Sequence, residues 1–266
     1  MSKTHTSTDF LQQQFGLDDR VAIVIGGTGV LGGALSEGLA QAGAHVVVAG
    51  RNEKAGLERV RAIRKFGGAA SFHSVSATER DSQQQLRDDI KSEFGRVDIL
   101  VNCAGVNSAV PHPEIEDEDW HRVIDGNLLS THLGCQLFAT LMAEQKGGGS
   151  ILNIGSVTAH LPLSRVFAYS ASKAAVVNLT QNLAREYAQH GVRINVLCPG
   201  FFPAEQNRKI LDEKRVASIL SQTPMGRFGE PHELVGAALL LLAPAAGSFV
   251  TGAAVYVDGG FTAMRF

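Results

Sequence analysis

Six short runs rich in valine and isoleucine, separated by stretches of helical periodicity, constrain this chain's fold more than any other feature. The runs are Val21–Ile25, His45–Ala49, Val97–Val101, Ser150–Ile154, Val192–Leu197 and Ala254–Val257, with Ala70–Val75 a weaker member. Short, nearly continuous apolar runs suit strands buried on both faces. Between them the spacing predicts helices over Leu31–Ala42, Asn52–Phe66, Arg80–Phe94, Glu116–Glu144, Arg165–His190 and Pro231–Leu242. Such β-α alternation implies an α/β fold, a doubly wound, mostly parallel sheet of Rossmann type with helices on both faces. No Pro/Gly/Ser linker divides it. The expectation is a polar N-terminal arm over 1–18 and one dinucleotide-binding catalytic domain over 19–266. Gly147-Gly148-Gly149 reads as a turn before a strand. The segment 200–225 lacks clear periodicity and reads as a lid over a substrate.

Bulk properties exclude several classes. A net charge of −2 argues against a general nucleic-acid binder, which would show a basic face. The apolar run Leu234–Pro244 is too short to span a bilayer and reads as a buried helix, so no membrane partner is expected. The N-terminus has no apolar signal core. Three widely spaced cysteines, Cys103, Cys135 and Cys198, fit no metal spacing and read as packing thiols in a reducing cytoplasm.

Gly27-Thr28-Gly29-Val30-Leu31-Gly32 is a GxGxxG that follows the first strand and opens a helix. Its glycines serve a tight turn, close approach of a pyrophosphate and helix–strand packing, and the helix N-terminus offers free N–H groups to phosphate. An acid about 20 residues further on would bind an NAD ribose. The second strand ends instead in Gly50-Arg51-Asn52. A guanidinium there suits a 2′-phosphate, so NADP is expected, with NAD as the alternative.

Tyr169-Ser170-Ala171-Ser172-Lys173 places a phenol and an ammonium four residues apart, with Ser156 thirteen residues upstream of the phenol. On a helix those two side chains share a face. A neighbouring cation lowers a phenol's pKa and makes it a usable proton donor or acceptor near neutrality.

With these residues the chain resembles the short-chain dehydrogenase/reductase family over nearly its whole length. The motifs occur in order: the glycine loop Gly26 to Gly32, Asn102-Cys103-Ala104-Gly105 after the fourth strand, Asn127, Ser156, Tyr169 and Lys173, Pro199-Gly200, and Val257-Asp258-Gly259-Gly260. The resemblance implies hydride transfer between a nicotinamide and a CH–OH carbon, without a metal. It implies Tyr169 as general acid/base and Ser156 holding the substrate oxygen. Lys173 would hold the nicotinamide ribose and depress the Tyr169 pKa, and Asn127 would anchor a proton-relay water. It places the cofactor along Gly26, Gly27, Thr28, Gly29, Val30, Leu31 and Gly32, then Arg51, Asn52, Ser74 and Val75. The cofactor site continues through Asn102, Ala104, Gly105, Tyr169, Lys173, Pro199, Gly200 and Phe202. Four positions depart from the family pattern: Ile25, Ser74, Cys103 and Ala204.

The lid begins Phe201-Phe202-Pro203-Ala204-Glu205-Gln206-Asn207-Arg208, mixing aromatic with polar residues. Fixed donors and acceptors suit a polyhydroxy substrate, and an arginine suits a carboxylate. The run resembles that of the D-mannonate oxidoreductases (D-fructuronate reductases) within this family. The expectation is reversible reduction of a keto-sugar acid such as D-fructuronate to an aldonate, with Ser156, His160, Arg165, Gln206, Asn207 and Arg208 as substrate contacts. Alternatives within the fold are a gluconate 5-dehydrogenase-like enzyme or a 3-oxoacyl-carrier-protein reductase. Outside catalysis the alternatives are an NADP-binding protein without turnover or a structural subunit of a mixed oligomer. The family resemblance implies a homotetramer, and the apolar tail Phe261–Phe266 suits packing on a neighbour.

Overall fold

The computed structural model describes residues 7–202 and 213–263. Its centre is a seven-stranded, all-parallel sheet in the order β3-β2-β1-β4-β5-β6-β7. The strands are β1 (Val21–Ile25), β2 (His45–Gly50), β3 (Ala69–Ser74), β4 (Ile99–Asn102), β5 (Gly149–Ile154), β6 (Val192–Pro199) and β7 (Ala254–Val257). The helices are α1 (Ser7–Phe15), α2 (Val30–Gln41), α3 (Glu53–Lys65), α4 (Arg80–Phe94), α5 (Asp117–Ile124), α6 (Ser130–Glu144), α7 (Phe167–Tyr187), α8 (Glu213–Ser221) and α9 (Val235–Leu242).

Strand alternation divides the core in two. On β1, Ala22 and Val24 face a cluster with Leu35, Leu39, Val60, Ile63 and Leu241, supplied by α2, α3 and α9. Val21, Ile23 and Ile25 face the other cluster, with Leu86, Ile90, Phe138, Met142 and Ala184, supplied by α4, α6 and α7. Every β1 residue is therefore buried, which explains an apolar run with no polar alternation. Arg193, near the start of β6, donates to the carbonyls of Leu241 (2.7 Å), Leu242 (3.0 Å) and Val250 (3.1 Å). It closes the C-terminal end of α9, where carbonyls lack intrahelical partners. Burial lowers its pKa from the ordinary guanidinium value.

Three expectations change. The arm over 1–18 carries helix α1, and Leu17 is fully buried, so the packed domain begins before residue 19. The helix expected over Glu116–Glu144 is two helices joined by a π-helical turn, Asp125–Leu129. The aperiodic 200–225 segment contains α8, whose Ile219 is buried. Residues 203–212 lie outside the described residues.

The strand order reverses between β1 and β4, whose C-terminal ends diverge into separate loops. A crevice at such a switch point is where doubly wound sheets bind ligands.

Candidate active site

The loop after β1 is built for backbone approach. Gly26 has φ +90°, and a Cβ there would lie 2.6 Å from Ala104 N and 2.7 Å from the Cys103 carbonyl carbon. The tight turn therefore belongs to Gly26, one residue before the GxGxxG. A Cβ on Gly32 would run into the Gly26 carbonyl oxygen. Gly29 caps α2 with an extended backbone and no side-chain bond, leaving the first N–H groups of that helix to a ligand. Thr28 is half-buried, its Oγ1 2.8 Å from where a Cβ on Gly50 would sit. Val30 is exposed at the rim, while Leu31 packs against the core.

At the end of β2, Arg51 is exposed and makes no ion pair among the described residues. Asn52 instead caps α3, its Oδ1 accepting from Ala55 N at 3.1 Å. Ser74 ends β3 exposed, and buried Val75 donates its N–H to Gly50 O. Asn102 points its amide into the sheet interior, donating to Asn153 Oδ1 at 2.9 Å and knitting β4 to β5. Pro199 is buried at the end of β6, where Gly200 N donates to Val257 O at 2.9 Å. Phe202 is likewise core, its ring 2.5 Å from where a Gly229 Cβ would stand.

Ser156, Tyr169 and Lys173 meet above the C-terminal ends of β5 and β6. Lys173 Nζ lies 5.6 Å from the Tyr169 ring centroid, as helical i/i+4 spacing requires. It donates to Ile154 O at 2.8 Å. Lys173 is 4% exposed, and burial brings its pKa down to about 8. The expected depression of the Tyr169 pKa is not found. Burial raises the phenol above its ordinary value, the Ser156 hydrogen bond opposes that rise, and Cys103 and Cys198 add to it. Desolvation of the phenol outweighs the neighbouring cation here. Cys103 and Cys198 are themselves pushed up to about 11 by burial, so neither is a ready thiolate.

Asn127 sits fully buried in the π-turn. Its Oδ1 accepts from Val106 N and its Nδ2 donates to Val106 O, both at 2.9 Å. Nδ2 also donates to Ser172 Oγ (3.1 Å), which donates to Tyr169 O (2.7 Å). One amide thus ties the loop after β4 to the turn of α7 that carries the phenol. Gly105 is where this loop needs no side chain, since a Cβ would lie 2.7 Å from Asn127 Oδ1 and 3.7 Å from Lys173 Nζ.

Of the substrate candidates, Gln206, Asn207 and Arg208 lie outside the described residues. His160 is exposed, with its ring centroid 6.2 Å from that of Tyr256. Arg165 is exposed at φ +67°, uncommon for a non-glycine residue, with its carbonyl accepting from Val110 N at 3.0 Å. Its guanidinium pairs with no acid among the described residues. Arg215 on α8 donates to the adjacent Ser164 O at 2.8 Å, joining α8 to this loop. A 360 Å³ cavity is lined by Phe201, Thr223, Met225, Tyr256 and Asp258 among others. Sequence reading missed Tyr256, which carries no motif and reaches this cavity through the fold.

The chain matches a family model described as enoyl-(acyl carrier protein) reductase over residues 29–262. It is 35% identical to the gluconate 5-dehydrogenase of Gluconobacter oxydans over 249 residues, covering 93% of this chain and 96% of that protein. The 2-dehydro-3-deoxy-D-gluconate 5-dehydrogenase of Escherichia coli is 35% identical over 252 residues, covering 94% and 98%. The crystal structure of a gluconate 5-dehydrogenase from Burkholderia cenocepacia J2315, in complex with NADP and tartrate, aligns with a TM-score of 0.91. It is 35% identical and the alignment covers 96% of this chain and 99% of that one.

Proposed function

Since the chain belongs to the short-chain dehydrogenase/reductase family of NAD(P)-dependent oxidoreductases, we propose that it interconverts a keto-sugar acid and its aldonate with NADP. The observation that carries this reading is the gathering of Ser156, Tyr169 and buried Lys173 on the same C-terminal edge of the parallel sheet as an uncapped helix N-terminus after β1 and Arg51 after β2, which pairs with no acid among the described residues. The cradle fits the dinucleotide: a Cβ at Gly26 or Gly32 would strike the backbone that closes the turn, Gly29 leaves the start of α2 open, and Arg51 stands where a 2′-phosphate needs a cation. A bound NADP supplies the hydride donor or acceptor.

The protein's own residues handle the proton. Tyr169 Oη gives a proton to the substrate oxygen in reduction and takes it in oxidation. Ser156 donates a hydrogen bond to the same oxygen as charge develops on it. Lys173 fixes a cation beside the phenol, held by Ile154 O. Asn127 keeps the loop after β4 and the Tyr169 turn in register, as a positioning residue whose side-chain atoms are all engaged.

Sugar-acid specificity is supported by the polar lid sequence and by Arg165, whose guanidinium meets no acid among the described residues and can receive a carboxylate. D-Gluconate with 5-keto-D-gluconate is the pair to which the relatives named above point. D-Mannonate with D-fructuronate is the second reading, favoured by the run Phe201-Phe202 through Gln206-Asn207-Arg208.

Purified protein assayed with each ketone and NADPH or NADH decides among these by nicotinamide absorbance. NADPH-dependent turnover of one ketone, abolished in Tyr169→Phe, is the expected result. Absence of turnover with both would reject the sugar-acid assignment. Arg208→Ala and Arg165→Ala should raise KM for the acid far more than for a neutral ketose; equal effects would remove the carboxylate role. The same reading places the protein in a homotetramer built on α6, α7 and the outer edge of β7. A light-scattering mass of one subunit would refute that assembly.

A further inference from the structure

We propose that Thr158 is a positioning residue that sets the polarity of Ser156, leaving the serine only a proton to offer the reacting oxygen. The inference rests on Ser156 and Tyr169 forming the reacting pair described above. Ser156 follows β5 with an extended backbone and caps the short 3₁₀ turn Val157–Ala159. Its Oγ accepts from Thr158 N at 3.2 Å and from Thr158 Oγ1 at 3.1 Å. A hydroxyl oxygen has two acceptor lone pairs and one donor proton. Both lone pairs are therefore occupied by one residue, and any third partner of Ser156 must accept from it. Thr158 is 8% exposed, and its hydroxyl has no other partner among the described residues, so Ser156 is where its proton goes.

The polarity matters because the substrate oxygen carries negative charge in the transition state in both directions: it gains charge as hydride arrives at a carbonyl carbon, and in oxidation it holds the alkoxide charge left by the proton until hydride departs. A donor aimed at that oxygen stabilises the transition state, whereas a lone pair facing it would repel the charge. Toward Tyr169 the same proton points to the phenol oxygen and favours the phenolate. Without the Thr158 hydroxyl, one lone pair of Ser156 is open. Ser156 can then accept from the Tyr169 hydroxyl, and the order of the two donors reverses. No sequence motif marks this residue; its role exists because a two-residue turn folds Thr158 back over Ser156.

Thr158→Val is nearly isosteric and removes only the hydroxyl; Thr158→Ser keeps it. The expected result for Thr158→Val is a fall in kcat of about 10- to 100-fold with KM within about twofold, largely restored in Thr158→Ser. The oxidation-direction pH profile should also move to higher pH, because Tyr169 loses its donor while Lys173, Cys103 and Cys198 around it are unchanged. A readout independent of turnover is the ring Cζ resonance of Tyr169 in carbon-13 tyrosine-labelled protein, assigned with Tyr169→Phe. It should shift in Thr158→Val and stay in place in Thr158→Ser. If wild type is active and Thr158→Val matches it in kcat and pH profile with the resonance unmoved, the proposal is wrong. If wild type turns over neither sugar acid, the substrate reading fails separately and the resonance alone decides Thr158: an unmoved signal overturns it.

Discussion

Replacing Lys173 with methionine should abolish turnover and yet make the protein more stable. The ammonium is 4% exposed and its pKa falls from 10.5 to about 8. A depression of that size corresponds to roughly 3 kcal/mol against the charged form in the folded protein. Methionine removes that penalty and fills a similar volume. The offset is the lost bond to Ile154 O, which leaves a buried carbonyl unpaired at about 1–2 kcal/mol. The balance is a gain of about 1–2 kcal/mol near neutral pH. The sign with pH follows from linkage. Below about pH 8 both states hold the proton and the full penalty is present. Between the folded and unfolded values the unfolded state binds more protons, so wild-type stability climbs with pH and the advantage of the variant shrinks. Urea unfolding followed through Trp120, the single tryptophan, would measure both proteins at about pH 7 and pH 9.5 and at matched concentration. A variant less stable than wild type at neutral pH, or a difference that does not change with pH, would refute the desolvation argument.

Gly26→Ala should lose NADPH affinity at least about tenfold and destabilise the fold by ~2 kcal/mol or more. The new Cβ meets the backbone of Cys103 and Ala104 at a φ of +90°; isothermal titration and thermal melts check it. Arg51→Glu should raise KM for NADPH about 10- to 100-fold and leave KM for NADH within a few-fold, because it removes a charge-assisted contact specific to the 2′-phosphate. Steady-state kinetics with the two cofactors in parallel measure both constants. Arg193→Met should cost about 3 kcal/mol and lower Tm by roughly 6–12 °C, since Leu242 O loses its donor and Leu241 O and Val250 O keep only Ser150 Oγ and Asn195 Nδ2. Its kcat should not change, because the residue stands at the opposite end of β6 from the site.

Much of the site was legible because its chemistry depends on residue type at fixed spacing. Tyr169 and Lys173 share a face on any helix, and Gly29 and Gly32 after an apolar strand prepare a helix N-terminus. The rest was illegible because it depends on partners distant in sequence. Asn102 reads as part of a cofactor motif, yet its amide binds Asn153 on the neighbouring strand. The run Glu116–Glu144 has unbroken helical periodicity. The π-turn inside it shows only when Asn127 is seen grasping Val106, 21 residues earlier.

The sequence by itself determined the layered α/β architecture and singled out the candidate reacting groups, because strand burial, glycine sterics and helical spacing are local properties. Tertiary structure alone decided the electrostatic state of those groups. Burial raised the Tyr169 pKa where spacing to a cation predicted a fall, and it brought Lys173 to about 8. The fold also fixed Asn127 between Val106 and Ser172, 21 and 45 residues away. Desolvation and hydrogen-bond polarity depend on everything packed around an atom, and no run of consecutive residues encodes that.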